Sequence, residues 1–129
     1  MYLSVIVPYY NEKKYILDNL LKIKKFFENK FEFEIIIVDD SGKKDFKKNI
    51  LKNEIKNLTI IENSKNFGKG YSFKNGINHS NGELILLTDA DLSTPIKEFE
   101  KLHSFYKKGY QIIIGSRNKF NSKIKKEKP

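Results

Sequence analysis

Leu84-Ile85-Leu86-Leu87-Thr88-Asp89-Ala90-Asp91-Leu92-Ser93-Thr94-Pro95 is the stretch that organises the chain: an apolar run that stops on two carboxylates one residue apart. Side chains of an extended segment alternate faces, so Asp89 and Asp91 point to the same side, close enough to share one hard cation. Residues 83–88 read as a strand. Beyond the pair, Thr94 has the chemistry of an N-cap and Pro95 that of a first helical residue. Ile96, Phe99, Leu102 and Phe105 then recur as one buried helix stripe, which Gly109 ends. Such a pair has two readings, metal ligands or a loop in which Asp91 helps to cap the helix.

The same alternation of apolar run and helical stripe extends upstream. Residues 3–7 form a strand closed by Pro8, and Tyr9-Tyr10-Asn11-Glu12 a loop. From 14 to 29 the spacing of Ile16, Leu20, Ile23 and Phe27 predicts a helix with one inward face. Residues 34–38 are a continuous apolar strand ending on Asp39-Asp40-Ser41-Gly42, and their lack of alternation predicts burial on both faces, as in a parallel sheet. A weaker helix over 44–52 and a strand over 58–61 follow. Asn66-Phe67-Gly68-Lys69-Gly70 is a Gly-rich turn, leading into a helix over 71–80 that packs Phe73 and Ile77 and stops at Asn81-Gly82. Gly76 inside that helix marks a close approach of another backbone. A fifth strand, 111–114, ends at Gly115-Ser116-Arg117. Strict alternation of strand and helix predicts an open α/β sheet, whose ligand site lies beyond the carboxyl ends of its strands. The polar groups at the strand ends would then converge on one rim.

At 129 residues the chain is long enough for one domain with a hydrophobic core. Hydrophobic residues at 39% and charged residues at 32% are ordinary globular usage. No apolar run approaches the roughly 18 residues needed to span a bilayer, and no signal-peptide layout opens the chain, so a cytoplasmic protein is expected. Without cysteine, disulfides and thiolate metal sites are excluded, and His79 and His103 are too few for a His-rich zinc site; both read as surface or half-buried residues. Any metal should have oxygen ligands. The net charge of +9 is compatible with a polyanionic partner, but its lysines are spread along the chain, which reads as a compositional habit. Residues 119–129, rich in Lys, are expected to be a solvated loop or frayed end.

A rim that gathers acidic residues, one Gly-flanked Lys and one Arg suits a phosphorylated ligand held through a divalent ion. Mg²⁺ or Mn²⁺ on Asp91 and Asp89 would offset the charge of a diphosphate. Lys69, in a turn at a helix N-terminus, could contact an anion or merely reverse the chain. Asp39 or Asp40 could hold a ribose hydroxyl or base edge, or cap the following turn.

Taken together, five ordered blocks resemble the inverting family 2 glycosyltransferases of GT-A fold. They are Ser4-Val5-Ile6-Val7-Pro8-x-Tyr10-Asn11-Glu12, Ile37-Val38-Asp39-Asp40-Ser41, Asn66-x-Gly68-Lys69-Gly70, Gly82-Glu83 and Asp89-Ala90-Asp91. The continuation Leu92-Ser93-Thr94-Pro95, with Gly115-Ser116-Arg117, is similar to the branch that transfers a hexose to a polyprenyl phosphate, such as dolichyl-phosphate glucosyl- and mannosyltransferases. The resemblance implies an open, mostly parallel sheet with helices on both faces, and a nucleoside pocket lined by Pro8, Tyr10, Glu12 and Asp39, with Asp40 beside them. It also implies Lys69 near the nucleotide, Asp89 and Asp91 at the diphosphate and its Mg²⁺ or Mn²⁺, and Arg117 at the start of an acceptor loop meeting the lipid phosphate. The donor would be a UDP- or GDP-sugar, UDP-glucose favoured over GDP-mannose, and the acceptor a lipid phosphate reached from the membrane surface.

The turn after the second strand reads Asp40-Ser41-Gly42-Lys43, where the family pattern has Asp-Asp-Gly-Ser. On this reading residues 1–118 are the donor half, and 119–129 are a tail or the start of an acceptor segment, the rest of which would come from further chain, an oligomer or a partner subunit. Two rivals differ in class. A receiver domain would use Asp89 as phosphoacceptor, but a complete strand-helix unit precedes the acidic strand. A basic nucleic-acid-binding domain would need aromatics free among the lysines, whereas here they fall at core spacing, so no nucleic-acid partner is expected.

Overall fold

The computed structural model describes residues 1–10, 16–43, 52–90, 98–114 and 123–126. In chain order the elements are β1 (Leu3–Tyr9), α1 (Ile16–Phe27), β2 (Phe33–Asp39), β3 (Leu58–Glu62), α2 (Lys69–Asn78), β4 (Leu84–Leu87), α3 (Phe99–Lys107), β5 (Tyr110–Ile114) and β6 (Lys123–Lys126). The continuous apolar runs become a four-stranded, all-parallel sheet in the order β3-β2-β1-β4. Every residue of β1 and β2 is buried, the condition that removes polar alternation from a strand sequence.

Helices cover both faces. On one, Val5, Val7, Ile35 and Ile37 meet Leu20, Ile23 and Phe27 of α1. Phe99 of α3 closes that layer, its ring 4.9 Å from Phe27 and edge-on at 86°. On the other, Ile6, Ile36 and Val38 meet Phe73 of α2. The buried residues of α2 are Ser72 and Gly76, whereas Ile77 is exposed and Phe73 only half-buried. A Cβ at Gly76 would overlap the Ile6 side chain and lie 3.3 Å from Val38 Cγ2. The close approach expected at Gly76 is therefore to side chains of the sheet, not to another backbone.

Four further expectations change. Pro8 does not close β1, because pairing with β2 continues through Pro8 to Tyr9. Strand five does not join the main sheet; β5 pairs antiparallel with β6. Residues 123–126, expected to be loop or frayed end, are that partner strand, since a sequence as charged as Lys-Ile-Lys-Lys carries no apolar signal. His103 is buried at 9% exposure, its Nε2 2.8 Å from the Tyr2 hydroxyl and its ring stacked 5.2 Å from Phe99. Residues 52–54 are helical, while the rest of the weak helix, Thr94, Pro95 and Ile96 lie outside the described residues.

Candidate functional site

Pro8 decides where the sheet opens. Asp40 N–H donates to Tyr9 C=O on the β2 side, at 2.8 Å, and Thr88 N–H to Ile6 C=O on the β4 side, at 3.1 Å. β1 thus alternates its bonds between neighbours, and Pro8, which lacks an N–H, falls on the β4 side. The β1–β4 register ends at Ile6↔Leu87, while β1 and β2 stay paired to Tyr9↔Asp39. β1 and β4 part at their carboxyl ends, and they do so at the point where the strand order reverses. This is the crevice at which open α/β sheets bind ligands.

A cavity of about 350 Å³ fills the crevice. Pro8, Tyr9 and Tyr10 come to it from β1, Asp40 from the end of β2, Asn66, Gly68, Lys69 and Ser72 from the turn and α2, and Asp89 and Ala90 from the loop after β4. Of the residues singled out in the sequence, Pro8, Tyr10, Asp40, Lys69 and Asp89 are brought together here. Asp39 is buried beside them, its Oδ1 accepting the Ser41 N–H at 2.9 Å, and it is not among the lining residues. That bond, with Gly42 at φ 75°, shapes the turn where this chain departs from the family pattern. Glu12, Asp91 and Arg117 lie outside the described residues.

Asp40 does two things. It lines the cavity, and its carboxylate holds the glycine turn: Oδ1 accepts the Phe67 N–H at 2.8 Å and Oδ2 the Gly68 N–H at 2.9 Å. Gly68 itself sits at φ 97°, where a side chain would be strained. The Asn63 side chain, 4% exposed, donates to Asp40 Oδ1 at 2.8 Å and to Ser72 Oγ at 3.1 Å, and accepts from Asn75 Nδ2 at 3.0 Å. The turn that delivers Lys69 is thus fixed from β2, β3 and α2 together. On the opposite wall, Asn19 of α1 donates to Ala90 C=O at 2.8 Å, pinning the residue between the two aspartates. Sequence reasoning missed Asn63 and Asn19, since a polar residue inside a strand-helix pattern reads as solvent-facing until its distant partner is known.

Across the cavity the Lys69 ammonium forms an ion pair with Asp89 Oδ1. The pair joins the first residue of α2 to the carboxylate that follows β4. Among the described residues no group of three His, Asp or Glu encloses a metal-sized point. The described carboxylates at the crevice are Asp89 and Asp40, both hard oxygen donors, and Asp89 already holds a cation in the form of Lys69.

A parallel sheet with helices on both faces and a crevice at its switch point places the chain in the GT-A fold, as solved glycosyltransferase structures show. A mannosyltransferase from Pyrobaculum calidifontis, in complex with GDP-Man and Mn²⁺, superposes with a TM-score of 0.59 at 27% identity, over 69% of this chain and 27% of that one. TarS of S. aureus in complex with UDP-GlcNAc gives 0.62 at 27% identity, over 84% and 32%. Residues 4–129 match the glycosyl transferase family 2, and the chain belongs to that family. Among curated relatives, a dolichyl-phosphate beta-glucosyltransferase of Trichomonas vaginalis is 39% identical over 98% of this chain and 43% of its own length. One of Dictyostelium discoideum is 36% identical over 92% and 40%. The chain thus spans well under half the length of these relatives. Neither the receiver nor the nucleic-acid reading is favoured beside this match. No helix among the described residues is long and apolar enough to cross a membrane.

Proposed function

We propose that this domain holds a nucleoside diphosphate sugar in the β1/β4 crevice and serves inverting transfer of the hexose to a polyprenyl phosphate. The observation that carries the reading is the meeting of Lys69 and Asp89 across a cavity at the sheet's switch point. UDP-glucose is the favoured donor and dolichyl phosphate the favoured acceptor, supported by relatives named as dolichyl-phosphate beta-glucosyltransferases. Reaction with a lipid phosphate would take place at the cytoplasmic face of a membrane, with the domain attached peripherally.

In this reading Pro8 and the exposed Tyr10 ring flank the nucleoside, and Asp40 supplies acceptor oxygens to it while keeping the turn in place. Asp39, buried beside them, and Glu12 would serve the same nucleoside. Lys69 meets the diphosphate. Asp89 and Asp91 would hold a divalent cation, Mg²⁺ or Mn²⁺, which when bound offsets the diphosphate charge and stabilises it as it leaves. The Mn²⁺ in the Pyrobaculum structure supports that choice of group. An acceptor phosphate oxygen, met by Arg117, is already ionised at neutral pH and needs little general-base help. It bonds to the anomeric carbon from the face opposite the nucleotide, the carbon–oxygen bond to the diphosphate breaks, and the configuration inverts.

Calorimetric titration with UDP and GDP, each with and without Mn²⁺, tests this. One nucleotide is expected to bind in a metal-dependent manner, and Asp89→Asn and Asp91→Ala to abolish the metal dependence. Failure of both nucleotides to bind, or binding indifferent to metal and to both substitutions, would overturn it.

A further inference from the structure

The ion pair in the crevice is held unequally at its two ends. Asp89 has a side-chain exposure of 16%, and the neighbouring Ala90 carbonyl is tied down by Asn19. Lys69 is 54% exposed and ends a flexible four-carbon stem. Its backbone follows Gly68, which Asp40 grips, so only the side chain has to turn for the ammonium to leave the carboxylate. The Phe73 ring, 5.8 Å from the ammonium, offers a second, weaker contact on the same helix.

We propose that Lys69 is the resident counter-ion of Asp89, a residue that couples metal binding to nucleotide binding. The inference rests on the reading of the crevice as a diphosphate-metal site. With the crevice empty, Lys69 neutralises Asp89 and competes with a divalent cation for it. When a diphosphate enters, it presents anionic oxygens to the ammonium, which moves from Asp89 to the diphosphate and no longer competes with the metal for that carboxylate. Each ligand thereby strengthens the other's binding, and by linkage the effect is reciprocal. The metal is disfavoured alone and favoured with nucleotide, which would keep the site from filling with cation before its substrate arrives.

The test reads binding rather than turnover. Mn²⁺ alone, as the chloride, is titrated into wild type, Lys69→Met and Lys69→Arg, with free Mn²⁺ followed by electron paramagnetic resonance. Removing a partly exposed counter-ion should tighten Mn²⁺ binding in Lys69→Met on the order of fivefold. Lys69→Arg, which keeps the charge, should stay near wild type. In the same Lys69→Met protein, affinity for whichever of UDP and GDP binds should fall at saturating Mn²⁺, so the substitution moves the two ligands in opposite directions. Adding Asp89→Asn to Lys69→Met should erase the gain in Mn²⁺ affinity. Unchanged or weaker Mn²⁺ binding in Lys69→Met overturns the counter-ion role, as does a gain that survives Asp89→Asn. If nucleotide binding persists in either of those cases, the proposed function stands without it. If neither nucleotide binds wild type, the proposed function falls, and the Mn²⁺ arm still decides whether Lys69 guards Asp89.

Discussion

The two ends of the parallel sheet use the same device for different purposes. At the amino ends of the strands, Glu34 is 7% exposed; its Oε2 accepts from Ser4 Oγ at 2.5 Å and from the Asn81 N–H at 2.7 Å, and Ser4 Oγ accepts the Gly82 N–H at 2.7 Å. At the carboxyl ends, Asp40 is 5% exposed and accepts the Phe67 and Gly68 N–H groups. Each carboxylate fastens a glycine-bearing loop to the sheet. The amino end is shut, because Gly82 lies so close that a Cβ would stand 2.5 Å from Ser4 N and 2.8 Å from the Leu3 carbonyl carbon. The carboxyl end is open, because β4 stops pairing with β1 before Pro8. A buried, fully bonded carboxylate therefore does not by itself mark a functional site. The strand pairing around it does, by sealing one end and parting the other.

The comparison breaks most visibly at Gly82. Gly82→Val would drive its branched side chain into backbone that cannot yield as a flexible side chain would, and a loss of about 3 kcal/mol or outright failure to fold is expected. Urea denaturation of the soluble fraction measures it. Glu34→Ala comes next: it leaves the Ser4 hydroxyl and the Asn81 N–H without their acceptor, for a loss of about 2–3 kcal/mol. In the folded protein, nucleotide affinity should match wild type. A matching loss of affinity would show that the closed end communicates with the crevice and that the two ends are not separable.

At the open end the expected signature is reversed. Asn63→Ala removes the amide that joins Asp40 to Ser72 and Asn75, lowering stability by about 1–2 kcal/mol. Nucleotide affinity should drop on the order of tenfold, as the turn carrying Lys69 loses its fixed position. Parallel denaturation and calorimetric titration separate the two quantities. A stability loss without an affinity loss would make the Asn63 network as purely structural as that of Glu34.

How much of this division could be read in the sequence depends on how far apart the interacting residues lie. The strands at 3–7, 34–38, 58–61 and 83–88 were legible as short apolar runs, even where β3 and β4 are only partly buried, and the helix stripe Ile16, Leu20, Ile23 and Phe27 by its period. Asp89 and Lys69 were legible as candidates because each follows a recognisable element end. The role of Asp40 in holding the turn was not, since its partners Phe67 and Gly68 are more than 25 residues away and offer only backbone. Gly82 carried a family resemblance in the sequence, and only the packing shows that it seals the end away from the cavity. Phe73 packs on the sheet as its hydrophobicity suggests, whereas Ile77 is exposed and the buried positions of α2 are Ser72 and Gly76, because a helix lying this close to Ile6 needs small residues that carry no hydrophobic signal. β6 was hidden for the opposite reason, a lysine-rich strand whose pairing is set by its β5 partner.

The smallest expected effect belongs to His103, beside the closed end. It faces Tyr2 of the segment leading into β1, Phe31, Phe99 and Tyr106, with Lys107 nearby. Burial, and secondarily the Lys107 charge, hold its pKa below the ordinary imidazole value of 6.5. Burial, with Tyr106 and Glu83, pushes the Tyr2 phenol above its ordinary value, so the phenol keeps its proton and its hydroxyl stays hydrogen-bonded to Nε2 of the neutral imidazole. Above about pH 6.5 folded and unfolded chains both carry neutral imidazole, and the contribution is intact. As pH falls below that, the unfolded chain takes up the proton first, so stability declines until the folded His103 also protonates, and then levels off. Melting temperatures at about pH 7.5 and 5.5 should differ in wild type by an increment that His103→Gln lacks. Nucleotide binding by the folded protein should show no step assignable to His103. If His103→Gln removes a pH step in nucleotide affinity instead, α3 transmits the state of the closed end to the crevice, and the separation of the two ends fails at its weakest point.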